Sequence, residues 1–389
     1  MLTRRQLIHA FLAAPTAAVV PRALQAEQPI SSLNNKKLVW INLRGALDGL
    51  NSLVPIGDPD YASLRPTLAF QRKPLIDLSH SLFALHPNLR FIHTLYQQKQ
   101  AAFFSATATS YRARSHFDAQ KVLENGVNDP TEAEGWLNRV IQEKPDLQLL
   151  AVDNTVPLVA KGQAGIKQWY PSDKQQAPVI IDKLLSRMYA DDPHLFNLHQ
   201  ASIDLHAVDQ DQQGKFKPLQ PSYQASFFDR FLSDHADILC YDLGGYDTHA
   251  NQGVTRGRLA NRLRLLDEVI QVFYEQSQKL SPQQWRNTVI VITSEFGRTA
   301  IENGSGGTDH GTGGLTMVLG GAINGGKIHA DWPGLSRSSL YLERDLKPTR
   351  HVHSIFKSVL QDHLSLSTRQ LNRVFPDSRT IKPFQDLLK

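Results

Sequence analysis

The chain has 389 residues, a formal net charge of +5 at pH 7 and one cysteine, Cys240. This length suits one large α/β domain or two smaller ones and excludes a minimal module. A single cysteine excludes an internal disulfide, and so modest a net charge gives no sign of nucleic-acid binding.

The first residues of the chain have the order of an export signal. The pair Arg4-Arg5 precedes an apolar, small-residue stretch at 10–20, and a cleavage-type segment then ends at Ala26. This order predicts a twin-arginine signal peptide over residues 1–26 and export by the twin-arginine machinery to the periplasm or the cell exterior. The apolar stretch is about half of the ~20 residues that cross a bilayer, so we expect no permanent membrane span.

Strand and helix patterns alternate along the remaining residues, 27–389, which we interpret as one α/β domain. In the first half the order is strand 37–43, helix 86–98, strand 101–106, helix 131–144 and strand 147–152. Thr131 lies three residues before Glu134, and this spacing predicts a capping box at the start of the second helix.

A polar segment rich in Gln and Asp at 173–235 interrupts the alternation, and we interpret it as an inserted helical cap. Beyond it the order is strand 238–241, helix 254–278, strand 288–293, strand 315–319 and helix 349–364. The tail after residue 364 is predicted to be irregular. The alternation predicts an α/β fold with a doubly wound, mostly parallel sheet, in which ligands bind beyond the carboxyl ends of the strands.

Acidic and histidine side chains are concentrated just after the predicted strands. Six of them are candidate metal ligands: Asp48, Asp247, His249, Glu295, Asp309 and His310. Carboxylate and imidazole donors without a thiolate favour zinc or manganese, as one ion or two. Because the carboxyl ends of parallel strands share one edge, we expect these side chains to converge on one site.

Each cluster also has a structural interpretation that the sequence leaves open. Asp48 can cap a helix, and Asp309 can bond its own backbone in a glycine-rich turn. Glu295 and Arg298 can form an ion pair at a helix start. The convergence of all the candidates on one edge is what favours a ligand site.

An ester hydrolase also needs a nucleophile, and Ser115 is the best placed hydroxyl. It stands where a helix can begin after the second strand, so backbone N–H groups would favour an anion beside it. Arg112 and Arg114 lie alongside, and together with Arg298 they are candidates for stabilising negative charge. The alternative is that Ser115 only caps the helix and that His116 is a packed surface residue.

Five short runs of sequence carry a resemblance to a known family. They are Asp-Gly-Leu-Asn at 48–51, Ser-His-Phe-Asp-Ala at 115–119, Gly-Gly-Tyr-Asp-Thr-His at 244–249, Ser-Glu-Phe-Gly-Arg-Thr at 294–299 and Asp-His-Gly at 309–311. In this order they resemble the bacterial family called domain of unknown function 1501, in which a twin-arginine leader is usual. That family is similar to alkaline phosphatases and sulfatases, and the resemblance implies their fold and a hydrolytic site with one or two metal ions.

The resemblance also implies roles for particular residues. It assigns metal ligation to Asp48, Asp247, His249, Glu295 and His310. It places Ser115 where the superfamily keeps its nucleophile. Phe296 follows Glu295 where the superfamily has an Asp-His pair, and this removes one imidazole that the pair Asp309-His310 can replace.

The hypothesis that follows is an exported, metal-dependent hydrolase of phosphate or sulfate esters that acts on a small-molecule substrate. The alternative is a non-catalytic periplasmic binding or assembly protein that retains the hydrolase fold and works with an exported protein partner. A third hypothesis is that the glycine-rich loop at 303–314 binds a phosphorylated ligand without cleaving it.

Overall fold

The structure is a computed structural model, and it describes residues 36–169, 187–188, 228–233 and 236–389. The predicted signal peptide at 1–26 lies outside the described residues. Most of the segment at 173–235 that we interpreted as a cap also lies outside them. Among the described residues, no helix combines the length and the apolar character that a membrane span needs.

The strands lie in one large sheet and one small one. In chain order they are β1 Lys37–Leu43, β2 Leu53–Val54, β3 Ile76–Asp77, β4 Ala84–Leu85, β5 Ala101–Ala108, β6 Leu149–Val152, β7 Lys167–Trp169, β8 Ile238–Leu243, β9 Thr288–Thr293, β10 Gly314–Leu319, β11 Lys327–His329 and β12 Arg350–His351. The large sheet has the order β11-β5-β10-β9-β1-β8-β6-β7, with β12 beside β5, and the small sheet has the order β2-β4-β3.

The large sheet is mostly parallel, as predicted. Strand β1 runs parallel to β8 and β9, and β6 runs parallel to β7 and β8. Strand β10 is antiparallel to both of its neighbours, β5 and β9. The carboxyl ends of β1, β5, β8 and β9 therefore share one edge with the beginning of β10.

Helices cover both faces of this sheet. They are α1 Tyr61–Leu64, α2 Arg90–Gln97, α3 His116–Asn125, α4 Trp136–Glu143, α5 Arg258–Leu280, α6 Pro282–Arg286, α7 Val352–Ser358 and α8 Thr368–Val374, with 3-10 turns at Gly49–Asn51, Leu158–Ala160 and Pro376–Ser378 and a π-turn at Val359–His363. Residues 228–233 are also helical.

The alternation of side chains along β1 separates two hydrophobic cores. Val39 and Ile41 face the core that α2 and α5 cover. Leu38 and Trp40 face the core that α4, α7 and α8 cover. A strand buried on both faces is continuously apolar, which is why the run at 37–43 predicted a central strand. The predicted α/β fold with a doubly wound, mostly parallel sheet is confirmed.

Two local predictions are wrong. The second predicted helix begins at Trp136 after Gly135, and Thr131 donates hydrogen bonds to Asp129 instead of capping it. The tail is not irregular, because α8 lies within it and begins with a capping box at Ser367. A Gln stands three residues after this Ser, so the signature of the helix was present in the sequence.

Candidate metal centre

The loops that build the site meet at the shared edge of the large sheet. The loop after β8 supplies Asp247 and His249, and the first residue of α3, beyond β5, is His116. Because β10 is antiparallel, the loop before it reaches the same edge and brings His310. These two loops approach closely, since a Cβ on Gly307 would lie 2.4 Å from the carbonyl oxygen of His249.

Three imidazole rings and one carboxylate converge in this cluster. The Nε2 atom of His310 lies 2.9 Å from Nε2 of His116 and 2.8 Å from Nε2 of His249. The Oδ1 atom of Asp247 lies 3.1 Å from Nε2 of His249, 3.6 Å from that of His116 and 3.7 Å from that of His310. We call these four residues the metal centre.

The other ring nitrogen of each histidine already has an acceptor. The Nδ1 atom of His116 lies 2.7 Å from Oε1 of Glu295. The Nδ1 atom of His249 lies 3.0 Å from Oδ1 of Asp309. The Nδ1 atom of His310 lies 2.9 Å from the carbonyl oxygen of Arg114. Each acceptor requires the proton on Nδ1, so each neutral ring presents a lone pair at Nε2.

This donor set fits a divalent cation. Three lone pairs and a carboxylate oxygen face one another, and a shared cation satisfies all four. Tetrahedral zinc with Zn–N of about 2.0–2.1 Å separates its ligand atoms by about 3.3 Å. The separations given above, 2.8 to 3.7 Å, lie on both sides of that value. Ligand atoms of His116, Asp247 and His310 all lie within 4.8 Å of one another, and His249 extends the group on one side.

The electrostatics of the cluster keep its acids ionised. Burial alone would raise the pKa of Glu295, but hydrogen bonds from His116, Gln120 and the Gly45 N–H lower it below its ordinary value. Burial opposes the charge of Asp247 as well, and its bond from Arg298 lowers its pKa. Ionised acids next to imidazole rings attract a cation.

Two buried residues hold side chains of the metal centre in place through hydrogen bonds. Glu295 is buried, and besides His116 it accepts from the Gly45 N–H at 2.9 Å and from Nε2 of Gln120 at 3.1 Å. Arg298 is buried too and donates to Oδ1 of Asp247 at 2.8 Å and to Oγ1 of Thr308 at 3.2 Å. Partners of this kind set the tautomer and angle of metal ligands.

The structure divides the six candidate ligands into three groups. Asp247, His249 and His310 point into the cluster. Glu295 and Asp309 lie behind histidines and bind their Nδ1 atoms.

Asp48, the sixth candidate, is not brought into the cluster. Its Oδ2 atom accepts from Nη1 of Arg65 at 2.6 Å and from Nε2 of Gln252 at 2.6 Å, and its Oδ1 atom accepts from the Leu50 N–H. It therefore caps the turn that follows β1.

Three of the predicted catalytic residues, Arg112, Arg114 and Ser115, come shortly before His116 in the chain. Ser115 is the N-cap of α3, where its Oγ accepts from the Asp118 N–H at 3.5 Å. Arg112 donates to backbone carbonyl groups. Arg114 pairs with Asp345 at 2.8 Å, and its own carbonyl holds His310.

The sequence reasoning missed one residue of the metal centre, His116. The sequence indicates it only as a packed surface residue beside Ser115. The available signal was its position, because it begins a helix just beyond β5, at the edge where the other candidates lie. Phe296, which the resemblance predicts at the position of a missing histidine, packs its ring 4.8 Å from that of His116 and 5.3 Å from that of His310.

Comparison with known proteins identifies the family of the chain. The sequence profile of the family described as "Protein of unknown function (DUF1501)" matches residues 77–383. The chain belongs to this family. The resemblance that the sequence motifs indicated is therefore confirmed. No curated protein matches this DUF1501 protein.

Several solved structures are similar to this DUF1501 protein. The C-terminal periplasmic domain of EcEptC from Escherichia coli, in complex with Zn, has 12% identity and a TM-score of 0.40, with 91% of this chain and 92% of that chain covered. A protein in the alkaline phosphatase superfamily from Vibrio parahaemolyticus has 10% identity and a TM-score of 0.37, with coverages of 76% and 62%. The PsFucS1 sulfatase from Pseudoalteromonas sp. has 10% identity and a TM-score of 0.34, with coverages of 75% and 64%.

Proposed function

We propose that this DUF1501 protein is a metal-dependent hydrolase of phosphate or sulfate esters. The observation that carries the proposal is the convergence of three imidazole Nε2 atoms and the Oδ1 atom of Asp247 at the ligand-binding edge of the sheet. A divalent cation, zinc or manganese, bound there would polarise an ester oxygen and offset its developing negative charge.

The chain's own residues would prepare this centre. His116, His249, His310 and Asp247 hold the cation. Glu295 and the other Nδ1 acceptors keep the lone pairs directed inward, so the centre needs little rearrangement on binding. The partial exposure of Asp247 and His249 leaves a side of the centre open to solvent and therefore to a substrate.

Ser115 is the nucleophile in this proposal. It precedes His116 directly and stands at the N-terminus of α3. Attack by its hydroxyl oxygen on phosphorus or sulfur would form a new ester bond while the bond to the substrate's alcohol breaks. The hydroxyl proton ends on the departing alcohol, and water then releases the anion and restores the serine. If water attacks directly, a Ser115→Ala variant retains full activity.

The proposal includes export by the twin-arginine route, which rests on the order of residues 1–26. The test replaces Arg4 and Arg5 by lysine and follows the location of the protein in cell fractions. The paired substitution should leave the protein inside the cytoplasm. Undiminished export of the variant would contradict the twin-arginine assignment.

The first experiment on the site is elemental analysis of the purified protein after incubation with zinc or manganese, followed by assay with p-nitrophenyl phosphate and p-nitrophenyl sulfate. We expect stoichiometric metal and cleavage of at least one ester. Both should be lost in His310→Ala. The matched control is His93→Ala, because His93 lies in α2, outside the metal centre, and its loss should change neither.

Two results would contradict the proposal in different ways. If the wild-type protein binds no metal, the four residues do not form a metal centre. A protein that binds metal through His310 but cleaves no ester would instead favour the alternative, a binding or assembly protein that retains the hydrolase fold.

A further inference from the structure

A second cavity lies beside the loop that carries Asp247. Its volume is about 370 Å³. One wall is the backbone of Gly245, and the other is the first part of α5. The polar side chains that line it are Arg258, Asn261, Arg262, Arg264 and Glu268. We call it the arginine cavity.

Within the described ranges, the arginines of this cavity form no ion pair, since none of the pairs includes Arg258, Arg262 or Arg264. Glu268 is the single acidic residue of the lining and stands against three cations. The lining therefore carries an excess of positive charge, which an anion in the cavity would offset. Guanidinium groups bind phosphate and sulfate with paired, charge-assisted hydrogen bonds.

Two of the arginines, Arg258 and Arg262, share one face of α5. Arg258 and Arg262 are four residues apart, so they lie one turn apart on the same side of the helix. The helix has 23 residues and starts at Arg258, so the positive end of its dipole adds to their charge. Three cations and a helix N-terminus together present an extended positive surface, which is larger than one anion needs.

The arginine cavity and the metal centre share the loop after β8. A Cβ on Gly245 would lie 2.5 Å from Nε of Arg262, so this guanidinium rests directly on the glycine backbone. Asp247, a residue of the metal centre, is two positions further along. One loop therefore carries both the Gly245 wall of the arginine cavity and the Asp247 carboxylate of the metal centre.

We propose that the arginine cavity binds a second anionic group of the substrate, so that the substrates are esters with two or more phosphate or sulfate groups. This inference rests on the proposed function and narrows its substrate class. The arginines bind the group that is not cleaved, and the metal centre takes the group that is.

The test measures binding rather than turnover. Inositol hexakisphosphate serves as the polyanionic probe, and calorimetry gives its affinity for wild type, for Arg258→Gln/Arg262→Gln and for the metal-centre variant His310→Ala. We expect the double arginine variant to bind about 10-fold or more weakly, since it loses charged hydrogen bonds. His310→Ala should keep most of the binding, because the arginines still hold the second anionic group.

A matched control removes the same charge elsewhere. The variant Lys279→Gln/Arg286→Gln changes two exposed cations away from the cavity. Lys279 is about 30 Å along the axis of α5 from Arg258, and Arg286 follows in α6. It should bind the probe as wild type does, and the thermal unfolding midpoints of both double variants should agree with wild type. Equal weakening in both would show a general charge effect and overturn the inference.

Three other binding results would also overturn the inference. No binding to wild type, or equal binding to the double arginine variant, overturns the inference. Binding that disappears in His310→Ala but survives in the arginine variant places the anion at the metal centre and also overturns it. Because no outcome needs ester cleavage, a protein that binds through the arginines but cleaves nothing would contradict only the proposed function.

Discussion

Two of the aspartate–arginine pairs at the carboxyl edge of the large sheet differ in the other groups that contact them. Asp48 and Arg65 are joined at 2.6 Å with side chains 1% and 0% exposed. Asp247 and Arg298 are joined at 2.8 Å, and the arginine is equally buried, but the aspartate is 45% exposed. The first pair is closed on all sides, whereas the second has one open side.

The remaining partners of each aspartate decide what it can do. The remaining hydrogen bonds of Asp48 come from Gln252 and a backbone N–H, and Arg65 also donates to the carbonyls of Thr299 and Ala300. The open side of Asp247 faces imidazole lone pairs instead. The same two residue types therefore join loops in one place. In the other, the aspartate belongs to the metal centre and the arginine orients it.

The largest effect that separates the pairs is expected from Arg65→Ala. It leaves the Asp48 carboxylate buried and unpaired, which costs about 3–5 kcal/mol of the free energy of unfolding. Urea denaturation measures this loss. The control Arg337→Ala breaks a pair exposed on both sides and should cost less than about 1 kcal/mol. If Arg65→Ala loses as little unfolding free energy as the control, the pair of Asp48 and Arg65 does not stabilise the fold.

Asp247→Asn should act on metal affinity more than on stability. The amide oxygen can still accept from Arg298, but the anionic ligand is gone, so zinc affinity should fall more than about 100-fold, or about 2.7 kcal/mol. Equilibrium dialysis against zinc measures the affinity. Asp48→Asn, which changes the same group in the closed pair, should leave the affinity nearly unchanged. Similar losses in both variants would contradict the distinction between the two pairs.

Glu295→Gln tests the residues that stand behind the ligands. Its amide oxygen can accept from Nδ1 of His116, but it lacks the charge that makes that ring a stronger donor to a cation. Zinc affinity should fall about 10-fold, or about 1.4 kcal/mol. The dialysis measurement applies again. A loss as large as that of Asp247→Asn would indicate that Glu295 binds the metal directly.

The smallest expected effect is a loss of folding stability as the pH falls. It arises at His363, outside the metal centre. His363 is buried behind Lys37, and burial lowers its pKa to about 4. Its folded pKa is lower than the unfolded value, so its contribution to stability is present at neutral pH and is lost as pH falls from about 6.5 towards 4. From pH 6 to 5 the loss is about 1 kcal/mol.

The check compares urea denaturation at pH 6 and pH 5 for wild type and His363→Gln, with a chelator present to exclude metal. The variant should have the shallower pH dependence by that amount. An identical dependence in the two proteins would mean that His363 is not the group responsible.

Much of the fold could be predicted from local pattern. The strands at 37–43 and 288–293 have the predicted bounds, because a strand buried on both faces is an unbroken apolar run. The start of α4 was predicted several residues early, because Gly135 caps it and the apparent Thr131 cap does not. Backbone geometry decides which of two nearby residues begins the helix, and the sequence pattern does not show that geometry.

The amino-acid sequence by itself determined six strands of the large sheet, their common edge and the arrival there of Asp247, His249 and His310. Only the tertiary structure decided the role of each acid. Arg65 closes Asp48 by bringing together loops far apart in the chain, and Glu295 meets His116 from another strand's end. The reason is physical: a carboxylate ligates, caps or pairs according to the partners and the solvent around it, and these are known only when the chain is folded.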